Sequence, residues 1–535
     1  MTTVSTGTIS AESLHQLISG TTEYALVDVR EAGVTAAQGS ILLAVSIPLS
    51  VLELRIRSRI PRLSTPVIVY DGGSDGLAVR AQQRLEALGY TDVRVLDGGL
   101  QAWAQAGRKV QTGGDHVIGQ AFGEWIEHVY DTPHITVDDY LARIEAGEDV
   151  VLLDSRPIGE FENHSLPGGT SIPGAELVYR AAEVVTSPDS LVVVNCAGRT
   201  RSILGAQVLI NAGLPNRVVS LEGGTQAWVL QGLELDHGKS VAAPLPTGAA
   251  FDAAKVAAAR FAERFSITRI DKKTLEGFRR EADTRTLYVL DVRTPDEYES
   301  GHLADSRSAP SWDVAPWTFR HVGTHNARIV LVDNDTVRAT VAASWIAQIG
   351  WGEVFVVEDA LSGEQLQTGP APAAFEIPGD GYTVVGVEEL RDAPERTVVD
   401  LGPSPAYRAQ HIPGAHFAIR SRLAGSVSDL PGTGPITLTS EDPALARFAA
   451  AELSVVTDRV VQVLDGGTQA WRAAGLEVES GTESWLHPAE DVVPSGWRES
   501  DPEQRKAGFR RYLSWELGLV AELEQDDSVP FRKFA

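Results

Sequence analysis

Four short apolar runs, each ending at an aspartate, form the most regular pattern in the chain. Each run is followed by a turn segment, a second apolar run, a stretch with helical spacing and then a third apolar run. The first runs end at Asp28, Asp154, Asp291 and Asp400. Continuous β-branched runs that alternate with helices predict parallel strands buried on both faces of a sheet. The pattern therefore predicts four copies of one α/β unit, each a mainly parallel sheet flanked by helices.

A second pattern lies at the end of the repeats: a leucine, an acidic residue, two glycines, a variable residue and then Gln-Ala-Trp. It stands at residues 96–103, 221–228 and 464–471. The corresponding segment of the third repeat, residues 356–361, has lost the glycines. The tryptophan recurs at one position, so we interpret it as a core anchor. Self-similarity of this kind indicates a tandem-repeat architecture.

These patterns divide the chain into four domains and a tail. The predicted domains are residues 8–112, 130–237, 265–368 and 380–480. The tail, residues 481–535, contains three tryptophans and is too aromatic for a free disordered segment. We therefore predict that it forms a helix and packs against the fourth repeat.

Composition narrows the class of protein. The 535 residues include 43% hydrophobic and 22% charged residues, an ordinary globular balance. The formal net charge of −26 disfavours binding to nucleic acid and to acidic membranes. No apolar run approaches the roughly 18 residues of a transmembrane helix, and the first ten residues do not resemble a secretory signal. We predict no nucleic-acid partner and no membrane association.

The chain contains a single cysteine, Cys196. One cysteine excludes an intramolecular disulfide and a multi-cysteine metal site, and it favours a reducing, cytoplasmic location. We expect no metal and no cofactor.

Cys196 follows the second apolar run of the second repeat and precedes a helical stretch that begins near Ser202. Backbone N–H groups in such a loop converge to form an anion-binding nest, and the helix N-terminus adds positive potential. We therefore predict a thiolate with a pKa below the ~8.5 of a free thiol. Arg199 and Arg201 are expected to supply local positive charge in an otherwise acidic protein.

The other repeats place different residues at the position of Cys196. By alignment of the second strands these are Asp71, Asp333 and Ser440. An aspartate cannot form a persulfide, so these domains are predicted to be inactive. A carboxylate at this position is expected to fill the anion nest from within.

Taken together, the motifs of the second and fourth repeats resemble the rhodanese family, from about residue 8 to residue 480. The motifs are Asp154-Ser-Arg156, Glu160-Phe161, Leu166-Pro-Gly-Gly169, Cys196 to Arg201, Glu222-Gly-Gly224 with Trp228, and His411-Ile-Pro-Gly-Ala415. The resemblance implies that Cys196 is the catalytic nucleophile of a thiosulfate sulfurtransferase, with 3-mercaptopyruvate a less favoured donor. The cysteine would form a persulfide and pass its sulfur to cyanide or a thiol. A protein acceptor is a further partner that the resemblance leaves open.

The resemblance also implies roles for the neighbours of the cysteine. The expected substrate-binding residues are Ala197, Gly198, Arg199, Thr200 and Arg201. Their amides would stabilise the persulfide, and the two arginines would hold the oxyanion of the donor. Asp154 and Arg156 are interpreted as an architectural pair near the site.

Family members with two domains also suggest an arrangement, because their inactive domain covers the active one. We therefore predict that repeats one and two form a pair, and that repeats three and four form another. Repeat one is then expected to supply the wall opposite Cys196.

Two other functions are compatible with parts of the sequence. Phosphatases and arsenate reductases of the same fold use a Cys-x5-Arg loop, whereas Cys196 to Arg201 is the shorter Cys-x4-Arg. A non-catalytic protein-binding array would account for repeats one, three and four, but it leaves the complete loop of repeat two unexplained.

Overall fold

The computed structural model describes residues 7–114, 116–393 and 395–535. Each predicted repeat forms a five-stranded sheet, and all strands of each sheet are parallel. The strand order within every repeat, numbered along the repeat, is 1-5-4-2-3. The predicted fold class, four tandem α/β domains, is confirmed.

Repeat one and the linker helix after it contain the following elements. They are β1 (Thr8–Ile9), α1 (Ala11–Ile18), β2 (Ala25–Asp28), α2 (Ala32–Gln38), β3 (Val45–Ser46), α3 (Leu52–Arg59), β4 (Val67–Tyr70), α4 (Leu77–Ala87), β5 (Val93–Leu96), α5 (Gly99–Gln105) and the linker helix α6 (Val117–Tyr130).

Repeat two has the same order and is followed by a second linker helix. The elements are β6 (His134–Ile135), α7 (Val137–Glu145), β7 (Val150–Asp154), α8 (Ile158–Asn163), β8 (Thr170–Ser171), α9 (Glu176–Val184), β9 (Leu191–Asn195), α10 (Thr200–Ala212), β10 (Val218–Leu221), α11 (Gly224–Leu230) and the linker helix α12 (Gly248–Arg264).

Repeat three has no α-helix after its last strand, where the two glycines are lost. Its elements are β11 (Thr268–Ile270), α13 (Lys272–Arg280), β12 (Leu287–Asp291), α14 (Pro295–Ser300), β13 (Arg307–Ser308), α15 (Ser311–Val314), β14 (Arg328–Val332), α16 (Val337–Ile349) and β15 (Glu353–Val357).

Repeat four again has a helix after its last strand, and one long helix follows the repeat. The elements are β16 (Thr383–Val385), α17 (Val387–Arg391), β17 (Thr397–Asp400), α18 (Ser404–Ala409), β18 (His416–Phe417), α19 (Arg420–Leu423), β19 (Ile436–Thr439), α20 (Pro443–Leu453), β20 (Val461–Leu464), α21 (Gly467–Ala473) and the C-terminal helix α22 (Pro502–Leu523).

The central strand of repeat two, β9, brings the candidate site together. All five of its residues are buried, as expected for a parallel strand with helices on both faces. It pairs with β7 so that Asp154 lies opposite Asn195. Because parallel strands end at the same edge of a sheet, the segments that follow Asp154 and Asn195 meet at one edge.

The repeats do not pack as the predicted pairs. Repeat one contacts repeat three through a backbone bridge between Tyr24 and His325. Repeat two contacts repeat three through an ion pair of 2.9 Å between Arg338 and Glu176. The prediction of pairs one–two and three–four is therefore wrong, because the polar contacts between domains join different partners.

Repeat four packs on repeat one. Arg420, at the start of α19, forms a buried ion pair with Glu53 of α3 at 2.8 Å. Repeats one and three are thus central, with repeat four on one side and repeat two on the other.

The tail does form a helix, but the helix leaves repeat four. Only the first part of the tail stays there, where Trp485 packs on Phe417. Helix α22 crosses to repeat two and packs on α6 and α11. The prediction that the tail helix lies on the fourth repeat is wrong. None of the helices in the described ranges is both long and apolar enough to cross a membrane.

Candidate active site

Cys196 lies directly after β9, at the sheet edge where the strands of repeat two end. Its side chain is buried, with 2% of the residue exposed. The loop from Ala197 leads into α10, whose first residue is Thr200. The first N–H groups of a helix have no acceptor in a preceding turn. The cysteine therefore sits beside a helix N-terminus, as the sequence predicted.

The two glycines at the start of α11 support the cysteine loop from behind. Gly224 has a φ of 51°, and a Cβ there would stand 2.3 Å from the carbonyl oxygen of Cys196. Thr225 donates to the same oxygen from its N–H and from its hydroxyl, at 2.9 Å each. The sequence marked the glycines as a repeated motif without a role. The structure shows that they permit this close approach.

Asp154 and Arg156 form a buried ion pair at the end of β7. The Arg156 guanidinium donates to both carboxylate oxygens, at 2.9 and 2.8 Å, and to the carbonyl of His164. Asn195, the last residue of β9, donates to Asp154 at 2.8 Å. The pair thus joins the turn after β7 to the strand that carries Cys196, which fits the architectural role assigned from the sequence.

Arg201 makes a two-pronged ion pair with Glu160 of α8, at 2.8 and 2.9 Å. Burial acts to raise the pKa of Glu160, but Arg201 holds it below the usual value. The same pair occurs in repeat three, between Arg338 and Glu297. At the corresponding positions repeats one and four lack both partners. The two residues are therefore kept or lost together within this chain.

Arg199 is buried and faces the linker helix α6. It donates to both carboxylate oxygens of Glu124, at 2.8 and 2.9 Å, and also pairs with Glu127. The sequence predicted that both loop arginines supply positive charge for an anionic donor. In the structure each already has a carboxylate partner, so the site is not an open cationic patch.

The prediction of a lowered pKa for Cys196 is wrong. Burial raises the pKa of the thiol, and this effect exceeds the opposing effects of Arg201 and of hydrogen bonds from Ser202. The sequence showed the helix N-terminus and the arginines, which favour a thiolate. It did not show the two helices that exclude water from the loop.

The second of those helices is α22, and its residue Glu516 reaches the cysteine loop. Glu516 is fully buried and its Oε1 accepts hydrogen bonds from the hydroxyls of Thr200 and Tyr512, at 3.1 Å each. Burial and the nearby Glu124 raise the pKa of Glu516 to about 8. The wall opposite the loop thus comes from α6 and α22, so the prediction that repeat one supplies it is wrong.

Glu516 should make the stability of the protein depend on pH. An exposed glutamate has a pKa of about 4.3, so between that value and about 8 the folded chain keeps a proton that the unfolded chain releases. Its contribution to stability is present in acid and is lost as pH rises through this window. We expect the Tm of the wild type to fall relative to that of Glu516→Gln between about pH 5 and pH 9, measured by calorimetry. A difference independent of pH would contradict this assignment.

The residues that replace the cysteine fill their own loops. The Asp333 carboxylate accepts from the N–H groups of Asp335, Thr336 and Ala339, at 3.2, 2.5 and 2.9 Å. Asp71 accepts in the same way from the N–H of Gly73 in its loop and of Ala78 at the start of α4, at 2.8 and 3.0 Å. The prediction that these aspartates occupy the nest from within is confirmed.

Comparison with known proteins agrees with this architecture. The sequence model of the rhodanese-like domain matches four segments, residues 10–106, 136–231, 274–363 and 383–474. Among curated proteins, an HTH-type transcriptional regulator of Mycobacterium tuberculosis is 37% identical over 107 residues, which cover 20% of this chain and 46% of the relative. A sulfurtransferase of Allochromatium vinosum is 35% identical over 93 residues, which cover 17% of this chain and 84% of the relative. The chain thus spans about half the length of the first of these relatives.

A solved structure is similar over the whole chain. The thiosulfate sulfurtransferase from Pseudomonas aeruginosa superposes with a TM-score of 0.91 and 40% sequence identity, covering 99% of this chain and 100% of that one. All four repeats and the tail therefore have a counterpart in one known protein. With four matched domains and this likeness, the chain belongs to the rhodanese family.

Proposed function

We propose that this protein is a sulfurtransferase that moves a sulfane sulfur from thiosulfate, or a related anionic donor, to cyanide or a thiol through a persulfide on Cys196. The observation that carries the proposal is the position of the only cysteine, at the end of the central strand β9 and beside the N-terminus of α10. The whole-chain likeness to a thiosulfate sulfurtransferase supports it.

In the first half of the proposed reaction, the Cys196 thiolate attacks the outer sulfur of thiosulfate. The bond between the two sulfur atoms of thiosulfate breaks, its electron pair leaves with sulfite, and Cys196 becomes a persulfide. In the second half, an acceptor attacks the outer sulfur of the persulfide. The electron pair of that bond returns to Cys196, which regenerates the thiolate for another cycle of this double-displacement scheme.

The loop supports this chemistry through charge. The amides of residues 197–201 and the helix N-terminus provide donors for the anionic persulfide. Arg201 lowers the pKa of Cys196 against the effect of burial. Arg199 and Arg201 already bind carboxylates, Glu124 and Glu160 respectively. To bind the donor oxyanion, either arginine must therefore contact the donor and its carboxylate at once, or release the carboxylate.

The three repeats without a cysteine are proposed to serve as structural and protein-binding domains. In two of them an aspartate already occupies the loop amides, which leaves no room there for a sulfur anion. If the sulfur acceptor is itself a protein, these repeats would bind it while repeat two transfers the persulfide sulfur to it.

Mass spectrometry of the intact protein after exposure to a donor tests the proposal. We expect the mass of one sulfur atom to be added to the peptide that contains Cys196, and the addition to disappear after cyanide or a thiol is supplied. Thiosulfate and 3-mercaptopyruvate are compared as donors. Absence of the adduct with both donors, in protein that is folded, would exclude the proposed activity.

Replacing Arg201 with alanine should impair use of thiosulfate. A hydrogen bond to a charged group contributes about 1.5–3 kcal/mol, so kcat/KM for thiosulfate should fall about tenfold or more, mainly through KM. Because Arg201 lowers the pKa of Cys196, the pH profile should also shift to higher pH. Steady-state kinetics at several pH values, with thiosulfate and with an uncharged persulfide donor, measure both effects.

Arg472→Ala provides the control, because Arg472 forms a comparably exposed pair with Glu441 in repeat four. It should leave the kinetics unchanged. Equal losses for both donors without a pH shift would indicate that Arg201 only shapes the loop.

A further inference from the structure

Glu516 is an unusual residue to find over a cysteine loop. It reaches the loop from α22, fully buried, and its Oε2 has no hydrogen-bond partner among the described residues. That oxygen stands 3.0 Å from the position that a Cβ on Gly198 would occupy. Glu516 and Cys196 also act on each other electrostatically, because the carboxylate raises the pKa of the thiol. The free oxygen thus faces the loop in which the proposed sulfur transfer takes place.

Burying a carboxyl oxygen without a hydrogen-bond partner is costly, so the position of Oε2 calls for an explanation. Within the described part of the chain no arginine forms an ion pair with Glu516, since Arg199 is engaged by Glu124 and Glu127 of α6. The titratable and charged groups around Glu516 are Tyr512 on its own helix, Glu124 on α6, and Arg199 and Cys196 of the loop. Burial, together with the charge of Glu124, outweighs the opposing effects of Tyr512 and Arg199 on the pKa of Glu516 and favours the protonated acid near neutral pH.

We propose that Glu516 is a catalytic acid and base of the Cys196 site, which carries one proton between the two halves of the sulfur-transfer reaction. This inference rests on the proposed function. It assigns to α22 a chemical role in addition to covering the loop, and it favours a thiol as the acceptor, because a thiol brings a proton that must be removed.

In the first half, the acid form of Glu516 acts on the departing group. The Cys196 thiolate bonds to the outer sulfur of thiosulfate, the sulfur–sulfur bond of the donor breaks, and the electron pair leaves with sulfite. Glu516 gives its proton to that sulfite, which departs as bisulfite. Cys196 is left as an anionic persulfide and Glu516 as a carboxylate.

In the second half, the carboxylate takes the proton back from the acceptor. As Glu516 removes the proton of the thiol, the thiol sulfur bonds to the outer sulfur of the Cys196 persulfide. The bond between that sulfur and Cys196 breaks, and its electron pair restores the thiolate. The products are an anionic persulfide of the acceptor and a protonated Glu516, so one thiol and one thiosulfate yield one persulfide and one bisulfite with the enzyme unchanged.

Glu516→Gln is the central test, because glutamine keeps the size and hydrogen-bonding capacity of the side chain but cannot exchange this proton. With thiosulfate as donor and glutathione as acceptor, we expect kcat to fall about 100-fold or more. The pH profile of kcat/KM for glutathione should lack the inflection near pH 8 that we expect of the wild type. Glu503→Gln, on an exposed position of the same helix, is the matched control and should behave as the wild type.

Tyr512→Phe gives a second readout that a purely structural role would not move. Its hydroxyl donates to Glu516 and lowers the pKa of that carboxyl, so the inflection should move to higher pH while turnover is retained. Circular dichroism and thermal melting establish that each variant is folded. If Glu516→Gln does not fold, the proposal is judged by Tyr512→Phe alone: a shift of the inflection to higher pH supports it, and no shift or a shift to lower pH contradicts it.

A folded Glu516→Gln protein with glutathione kinetics within about twofold of the wild type would overturn the proposal, as would an unmoved inflection in Tyr512→Phe. Either result would leave the sulfur-transfer function standing, because the wild type would still form the Cys196 persulfide. If the wild type itself takes up no sulfur from thiosulfate, the proposed function fails and this inference fails with it.

Discussion

Cys196→Ser is expected to abolish sulfur transfer while leaving the fold intact. Serine is nearly the same size as cysteine and fits the buried position after β9, but its hydroxyl cannot hold a sulfane sulfur. Turnover of thiosulfate should fall to the background rate, and no sulfur should be added to the protein in mass spectra. Far-ultraviolet circular dichroism and the melting temperature should match those of the wild type.

A matched control tests whether a cysteine after the central strand of a repeat is sufficient for sulfur transfer. Ser440 follows the central strand of repeat four at the position that corresponds to Cys196. Its loop carries no arginine at the position of Arg201, and α22 does not reach it from the position of Glu516. Introducing Ser440→Cys into the Cys196→Ser protein should therefore not restore turnover. Substantial activity in either variant would mean that another residue or repeat carries the reaction.

Asp154→Asn is expected to destabilise repeat two strongly. The substitution leaves the Arg156 guanidinium, which is fully buried, without a charged partner. Breaking a buried ion pair by removing one partner typically costs about 3–5 kcal/mol. Because a chain of several domains need not unfold in one step, hydrogen exchange resolved by peptide is the suitable measurement. Peptides that cover β7 and β9 should exchange much faster than in the wild type.

The fourth repeat supplies the control for this prediction. Asp400 occupies the corresponding position, but the arginine is replaced by Gly402, whose N–H donates to the carboxylate at 2.8 Å. Burial raises the pKa of Asp400 to about 6, so its charged form is not favoured by folding, and loss of the charge should cost little stability. Asp400→Asn should change the exchange of the β17 peptide only slightly. Similar losses in both variants would show that the aspartate, and not its pairing with arginine, stabilises the turn.

Much of the fold of each repeat, and part of the candidate site, could be predicted from residues that are close together in the chain. The apolar run of β9, the cysteine that ends it and the helix that follows are neighbours in sequence, so their pattern predicted strand, loop and helix. Asp154 and Arg156 are two residues apart, and a turn after β7 brings them together. The repeats reinforced each pattern, since a local signal that recurs at the same offset is unlikely to be accidental.

The loss of the glycines in repeat three shows how a local pattern can fail while part of its backbone geometry survives. Asp359 stands where the other repeats have the first glycine of the pair, and it adopts a positive φ of 50°. The turn is thus preserved at a position where aspartate tolerates the left-handed region better than most residues. Only this first position keeps its positive φ, because Ala360, which stands at the position of the second glycine, is not in the left-handed region.

By itself, the sequence determined the repeated α/β fold, the one repeat that carries a cysteine and the occupation of the corresponding loops of repeats one and three by aspartate. Each depends on short-range patterns: the period of apolar residues, the residue that ends a strand and the amides of the loop that follows. Only the tertiary structure decided which repeats contact one another, and that Arg199 faces Glu124. It also decided that Glu516, 316 residues beyond Thr200 in the chain, closes the cysteine loop. These contacts arise from the packing of whole domains and helices, for which no local pattern exists, and their burial of Cys196 reversed the pKa shift that the loop alone had predicted.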